Sequence, residues 1–389
     1  MKKSISRISK KLPCKGKVLI GADFVPTESN REMFRLGMCD ELFGQKLYAY
    51  LKSVDYRIFN LETPITDQNE KIRKEGSPNL KTYPEAVYLF KELFPALFSG
   101  ANNHILDYGE VGIKDTIKYL NKVNLEYVGF GTSGHIKKIH YFKCENTRVG
   151  VYSLAENEYS VNKVHNYGAN GFDVYDTFDE ISFYKEQCDF MIVLFHGGCE
   201  NYRYPTPEQR KKCRKFVEKG ADLVVCQHSH CVGTFEVFQN STIIYGQGNF
   251  LFDRLNIEEW KTSILIELDF GDCTINIIPI QKENNEIRMA EYEIANKIID
   301  GFEKRSAQIN NSDFMERKWE EFVESQKNVL LLRGIMGINS PIIMGLNKIT
   351  NGFLGKLLFT TKHKILLLNY IKCESIRERI IYLLQQYEE

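Results

Sequence analysis

No stretch of the 389-residue chain reaches the ~18 uninterrupted apolar residues of a bilayer span, so no transmembrane helix is expected. The amino terminus, MKKSISRISKKLPCKGK, is basic but lacks the apolar run of about seven residues that a secretory signal needs, which makes the cytoplasm the expected compartment. Net charge is also missing. Lys plus Arg and Asp plus Glu number 51 each, so no overall basic surface for nucleic acid is expected. The ten cysteines form no C-x-x-C pair and no dense framework, and read as free thiols. Cys226 and Cys231 flank a histidine-bearing turn, and a ligand role for either is a secondary idea. Histidine is scarce as well, with eight in the chain.

Half of those eight sit on short turns that follow apolar runs. His104 lies in GANNHILDYG after PALFSG, His196 in FHGGCE after DFMIVLF, and His228 and His230 in QHSH after GADLVV. Two acidic turns join them: Asp23 ends KVLIGAD, and Asn60 and Glu62 end DYRIFNLE. In open α/β sheets, ligands bind outside the carboxyl ends of strands, so these turns read as one polar site. Imidazole beside carboxylate and amide oxygen suits a divalent first-row metal. His135, His140, His165 and His363 have no such context and read as surface or turn positions.

Between about 17 and 250, short apolar runs alternate with helical patterns, which predicts an α/β fold with helices on both faces of a buried sheet. KVLIGAD, DYRIFNLE, PALFSGAN, LEYVGFG, RVGVYSLA, DFMIVLFHG, ADLVVCQ and STIIYGQG read as strands. Residues 40–52, 84–94, 111–123, 178–187 and 207–219 read as helices. Pro84 and Pro207 suit first turns, Thr206 an N-cap and Gly220 a C-cap. Residues 261–290 read as an antiparallel meander, and the chain is helical from about 292. Two domains are expected: residues 15–290 around the site, and a mostly helical region 291–389. The mixed apolar and basic tail 329–384 reads as a helical subdomain, with peripheral membrane contact as the sharper alternative.

A two-metal hydrolase needs several N and O ligands brought from different strands to one point. Asp23, Glu62, Asn103, His196, His228 and His230 are candidate metal ligands. His104 is a candidate general acid with Asp107 orienting it, although a lone histidine there could equally cap a helix or bond a turn carbonyl. Tyr202 and Asn60 are candidates for binding substrate. Arg203 is the best local partner for an anionic group, because its guanidinium fork matches carboxylate and phosphate.

The order GAD, NLETPIT, ANNHILDYG, FHGGCENYRYPTPEQ, GADLVVCQHSH and YGQGNFLFD resembles the capsule or poly-γ-glutamate synthesis protein CapA family, itself similar in fold to calcineurin-like metallophosphatases. The resemblance spans 17 to about 253, and its motifs imply Glu200 and Asn249 as further substrate-binding candidates. It implies a four-layer α/β/β/α sandwich, one or two divalent ions (Mn, Zn or Fe), and work on an anionic polymer or glycan alongside other surface-polymer synthesis proteins. Two positions depart from the pattern. Val25 stands where metallophosphatases carry a histidine, and Gln227 stands where the family's G-H-H-P-H motif has its first imidazole. The resemblance therefore leaves two readings, a metal-dependent hydrolase or transferase and a non-catalytic accessory subunit that uses the same pocket. A nucleotide phosphoesterase is disfavoured by the neutral charge.

Overall fold

The computed structural model describes every residue except 75–76, 163–166, 253–256, 331–339, 351, 354–359, 373–379, 381–383 and 385–389. The chain divides into two compact units, residues 1–72 with 79–315, and residues 73–78 with 316–389.

The first unit is built on two large sheets. In one, strands Lys17–Phe24, Tyr56–Leu61, Ala96–Ser99 and Glu126–Val128 run parallel, and Asn249–Leu251 pairs parallel with the first of them. The expected meander, Thr262–Asp269, Thr274–Glu283 and Glu286–Met289, extends this sheet antiparallel from Lys17–Phe24, and Lys3–Arg7 adds a further strand. In the other, Thr147–Ala155, Phe190–His196, Leu223–Gln227 and Ser241–Tyr245 run parallel, flanked by Ile139–Cys144 and Phe235–Phe238. The two flanking strands and Lys3–Arg7 carry no marked apolar alternation, so the sequence patterns passed over them.

Period-two alternation sorts each strand's side chains into layers. Phe190, Ile192 and Leu194 join Val18, Ile20, Ile58 and Leu97 in a core between the sheets. Met191, Val193 and Phe195 pack outward with Cys213 and Phe216 of helix Pro207–Glu218. Leu19, Phe59 and Phe98 pack outward on the other side with Leu42, Leu47 and Ile113 of helices Cys39–Ser53 and Gly109–Lys122. The result is the expected order helix, sheet, sheet, helix. Helix Tyr292–Gln308 sends Ala295, Ile298, Ile299 and Phe302 into the core between the sheets.

Some expectations need correction. Residues 84–94 form a 3₁₀ turn, Pro84–Ala86, and a short helix, Val87–Lys91, because Pro95 removes a backbone donor. LEYVGFG divides at Gly129 into strands of two different sheets, Phe130–Thr132 joining a small one. His140 is no loose surface residue. It lies on a strand, 3.3 Å from the Tyr56 hydroxyl, and burial, with Lys137 nearby, lowers it to about 4. His135 and His363 are exposed, and His165 lies outside the described residues. Helix Ser312–Val329 begins at the end of the first unit, helices Pro341–Ile349 and Thr361–Lys372 belong to the second, and much of the remaining tail pattern lies outside the described residues. No helix among the described residues is long and apolar enough to cross a membrane.

Candidate metal centre

Strand parity aims most of the site. His196 follows Ile192 and Leu194 on the even face of its strand, so it points between the sheets, and Asn60 and Glu62 follow Ile58 in the same way. Asp23 breaks parity. Val18 and Ile20 face the other sheet, yet Ala22 and Phe24 pack outward, and the pairing register slips between Ile20 and Asp23. This irregularity turns Asp23 inward, as β-bulges re-aim side chains. Gly21 sits at the slip, where a Cβ would come 2.3 Å from the Phe59 ring. His228 and His230 are aimed by backbone instead, with φ of +94° and +53°. Such left-handed backbone costs of order 1–3 kcal/mol for a non-glycine residue and clusters at functional sites.

These elements bring all six candidate ligands together. The His196 Nε2 lies 3.0 Å from Asn103 Oδ1, 3.1 Å from His228 Nδ1 and 3.3 Å from Glu62 Oε1. His230 Nδ1 lies 3.4 Å from Asp23 Oδ2, and donor atoms of Glu62, His228 and His230 lie within 4.8 Å of one another. All six side chains are buried.

The donor set fits a cation. Asn60 Nδ2–H donates to Asp23 Oδ1 at 2.7 Å and lies 3.1 Å from His196 Nδ1, which makes that nitrogen the acceptor and leaves the His196 proton on Nε2. One N–H then faces two oxygens, Asn103 Oδ1 and Glu62 Oε1, with His228 Nδ1 beside them. Both Glu62 oxygens are buried without a hydrogen bond. Buried acceptors short of protons are costly alone and are what a divalent ion satisfies.

The electrostatics agree. Burial and the adjacent Asp23 charge push the Glu62 carboxyl well up. Burial drives His196 down to about 4 and, helped by its histidine neighbours, His228 to about 3. Burial would lower His230 too, but Glu62 and Asp23 hold it up at about 9. Burial would raise Asp23, but the His230 hydrogen bond and the His196 charge keep it low.

The other candidates divide. His104 Nδ1–H donates to Asp107 Oδ2 at 2.7 Å, and the Leu80 N–H donates to the same oxygen at 2.6 Å. Asn60 was expected to touch substrate, but it is fully buried with its amide spent on Asp23, His196 and Asn102, so it positions ligands. Asn249 likewise accepts from His230 Nδ1 at 2.8 Å. Arg203 does not border the ligand cluster but lines a neighbouring cleft. Tyr202 is buried, Tyr204 donates to Gln308 Oε1 at 3.0 Å, and Glu200 is exposed. Cys226 faces outward, 3.5 Å from Cys213 Sγ, because it has the parity opposite to Val225. Val25 packs with Phe252 and Trp260, and Gln227 donates to Gly21 O and Gln247 Oε1, so neither reaches the cluster as a ligand.

Sequence reasoning missed Asn102, Glu156, Glu158 and Trp260. Asn102 donates to Asn60 Oδ1 and Leu61 O and accepts from the His104 N–H. It is the first asparagine of ANNH, so its signal was in view. Glu156 and Glu158 line a crevice with Asn103, His196 and His228. Trp260 lies against His230, ring centroids 4.3 Å apart, and only its rarity in the sequence marked it.

A family model, bacterial capsule synthesis protein PGA_cap, matches residues 16–254. The PGA biosynthesis protein CapA of Bacillus subtilis is 31% identical over 219 residues, covering 55% of this chain and 57% of that protein. The capsule biosynthesis protein CapA of Bacillus anthracis is 30% identical over 243 residues, 59% of each chain. The chain thus spans under two thirds of the length of these relatives. Among solved structures, a phosphatase from Mycoplasma pneumoniae is similar at 14% identity and a TM-score of 0.43, covering 69% of this chain and 94% of that one.

Proposed function

This chain belongs to the PGA_cap family of bacterial capsule synthesis proteins, and from that premise we propose that it helps make a surface polymer as a metal-dependent hydrolase or transferase acting on an anionic polymer or glycan. One observation carries the reading. Asn103 Oδ1 and Glu62 Oε1 both face the single His196 Nε2 proton, and neither Glu62 oxygen has a hydrogen bond. Asp23, Glu62, Asn103, His196, His228 and His230 would hold one or two of Mn, Zn or Fe. A divalent ion there supplies Lewis-acid polarisation of a substrate oxygen.

The chain's own residues do the rest. Asp107 orients His104 by accepting from Nδ1–H, and in the doubly protonated imidazolium the Nε2–H is the proton given to a leaving group. Asn60 and Asn249 fix the orientation of Asp23, His196 and His230, and burial of the whole set excludes water. The second reading, an accessory subunit that binds polymer without turnover, draws support from Val25 and Gln227, which remove two imidazole positions. Partnership with other polymer-synthesis proteins, in the cytoplasm or at the membrane surface through residues 329–384, belongs to either reading. Helix Pro341–Ile349, with Ile342 and Ile349 exposed beside Lys348, favours membrane contact, and deleting the tail should then lower recovery with membranes.

Complementation of a deletion strain separates the two readings. Enzyme action predicts that His104→Ala abolishes surface polymer while soluble protein and metal content persist, since general acid catalysis contributes ~10²–10⁴-fold. Asp107→Asn should act in the same direction but more mildly. Normal polymer with stable His104→Ala protein would leave only the accessory reading.

A further inference from the structure

A second concavity opens at the end of the sheets where Asp23 lies. It is a cleft of about 560 Å³ whose wall includes Arg203, Glu258, Lys261, Lys282, Lys297 and Arg305. Thr262 also lines it, at the start of a strand antiparallel to the one ending near Asp23. Among the described residues Glu258 is the lone acid of the lining, and it pairs with Lys261 at 2.6 Å. Two guanidinium groups lie side by side on one carbonyl. Arg203 Nη1 and Arg305 Nη2 both donate to Val232 O, at 3.1 and 2.8 Å, and Arg305 Nε donates to Gly233 O at 2.9 Å.

Among the described residues no carboxylate pairs with either arginine. Burial, then the neighbouring Arg203 charge, lowers Arg305 to about 10. Adjacent like charges in a partly buried wall disfavour the free state, and a bound anion removes that repulsion. The cleft is tied to the metal centre through Trp260. The turn Glu258–Lys261 that lines the cleft carries this tryptophan, whose ring rests against His230 and whose Nε1–H donates to Asn201 Oδ1 at 3.0 Å.

We infer that this cleft seats the polymer strand that flanks the reacting unit, and that its ligand is a flexible chain with a carboxylate on each repeat. Arg203 and Arg305 fork one carboxylate, and Lys261, Lys282 and Lys297 meet its neighbours as point charges. Guanidinium forks hold a carboxylate bidentately, whereas lysines act as point charges that tolerate a sliding chain. The inference rests on the reading above that the substrate is an anionic polymer. It assigns where that polymer lies and which residues hold it.

The test is fluorescence anisotropy of a labelled γ-linked glutamate decamer with the full-length protein, competed by unlabelled decamer, inorganic tripolyphosphate or a neutral dextran oligomer. The labelled decamer should bind, dextran should not displace it, and salt should weaken it. Arg203→Gln should reduce affinity about tenfold or more. Lys297→Glu should do the same. Because Lys297 is exposed on its helix, this variant reads cleft charge with little risk to folding. Unchanged affinity in both variants would overturn the assignment. So would displacement by tripolyphosphate at lower concentration than by unlabelled decamer, which would mark a phosphate site. Repeating the binding with Glu62→Gln keeps the two readings apart. If the metal reading fails, the cleft still binds the decamer; if the cleft fails, the six-ligand cluster still takes up metal.

Discussion

Glu62→Gln should reverse its effect on stability when metal is added. Both Glu62 oxygens are buried without a hydrogen-bond donor, and burial and Asp23 push its carboxyl well above the ordinary range. A raised carboxyl pKa means that folding opposes ionisation, so at neutral pH this group weakens the metal-free protein. An unsatisfied buried polar group costs ~1–3 kcal/mol, and more when charged. Glutamine keeps the volume and removes the charge, and its amide can donate toward Asp23 or His228. In EDTA the variant should therefore be the more stable form by ~1–3 kcal/mol, a rise of roughly 2–6 °C in melting temperature for a domain of this size. With manganese or zinc in excess the order should invert. A ligand at 1,000 times its dissociation constant adds ~4.1 kcal/mol to wild type, more than the deficit. The variant, lacking a charged ligand, should gain little. Differential scanning calorimetry of both proteins in EDTA and in each metal reads all six values. If Glu62→Gln melts below wild type in EDTA, or gains as much from metal as wild type, the argument that these acceptors await a cation is wrong.

Two further outcomes follow from the site's supports and from the outer layer. Gly21→Ala places a methyl 2.3 Å from the Phe59 ring at the register slip that aims Asp23. Overpacking there should cost ~1–3 kcal/mol, and elemental analysis should show less bound metal than in a control of equal stability loss made in the outer helical layer. Glu236 accepts from Arg214 (2.7 Å), Arg210 (2.9 Å) and Tyr245 (2.6 Å); burial would raise it, but these partners hold it at about 2. A depressed carboxyl pKa gives stability that is present above the unfolded value of ~4.3 and fades as pH falls toward 2, on the order of 3 kcal/mol at neutral pH. Urea unfolding should show Glu236→Gln weaker by about that amount at pH 7, with the gap closing between pH 5 and 2; a gap that persists at low pH would assign the loss to packing instead.

The alternation of strands and helices, the α/β class, and the inward aim of Asn60, Glu62 and His196 follow from local order in the chain. Period-two parity is a local property, and FMIVLFH reads the same in isolation as in the fold. The turn histidines were legible because scarce residue types recurred at equivalent places, the ends of apolar runs. Packing between distant segments fixed the rest. Parity alone would send Asp23 into the helical layer; the slip at Gly21, set by how its strand pairs with Tyr56–Leu61, turns it between the sheets. Parity would likewise send His228 outward, away from Gln227, and its positive φ brings it back. Asn60 looked like a surface contact in NLE, but burial beneath Asp23 and His196 made it a support. Arg203 stood next to the site in sequence, yet Val232 and a helix about 100 residues away drew it into a separate cleft with Arg305. Such placements depend on contacts between segments far apart in the chain, which no local pattern encodes.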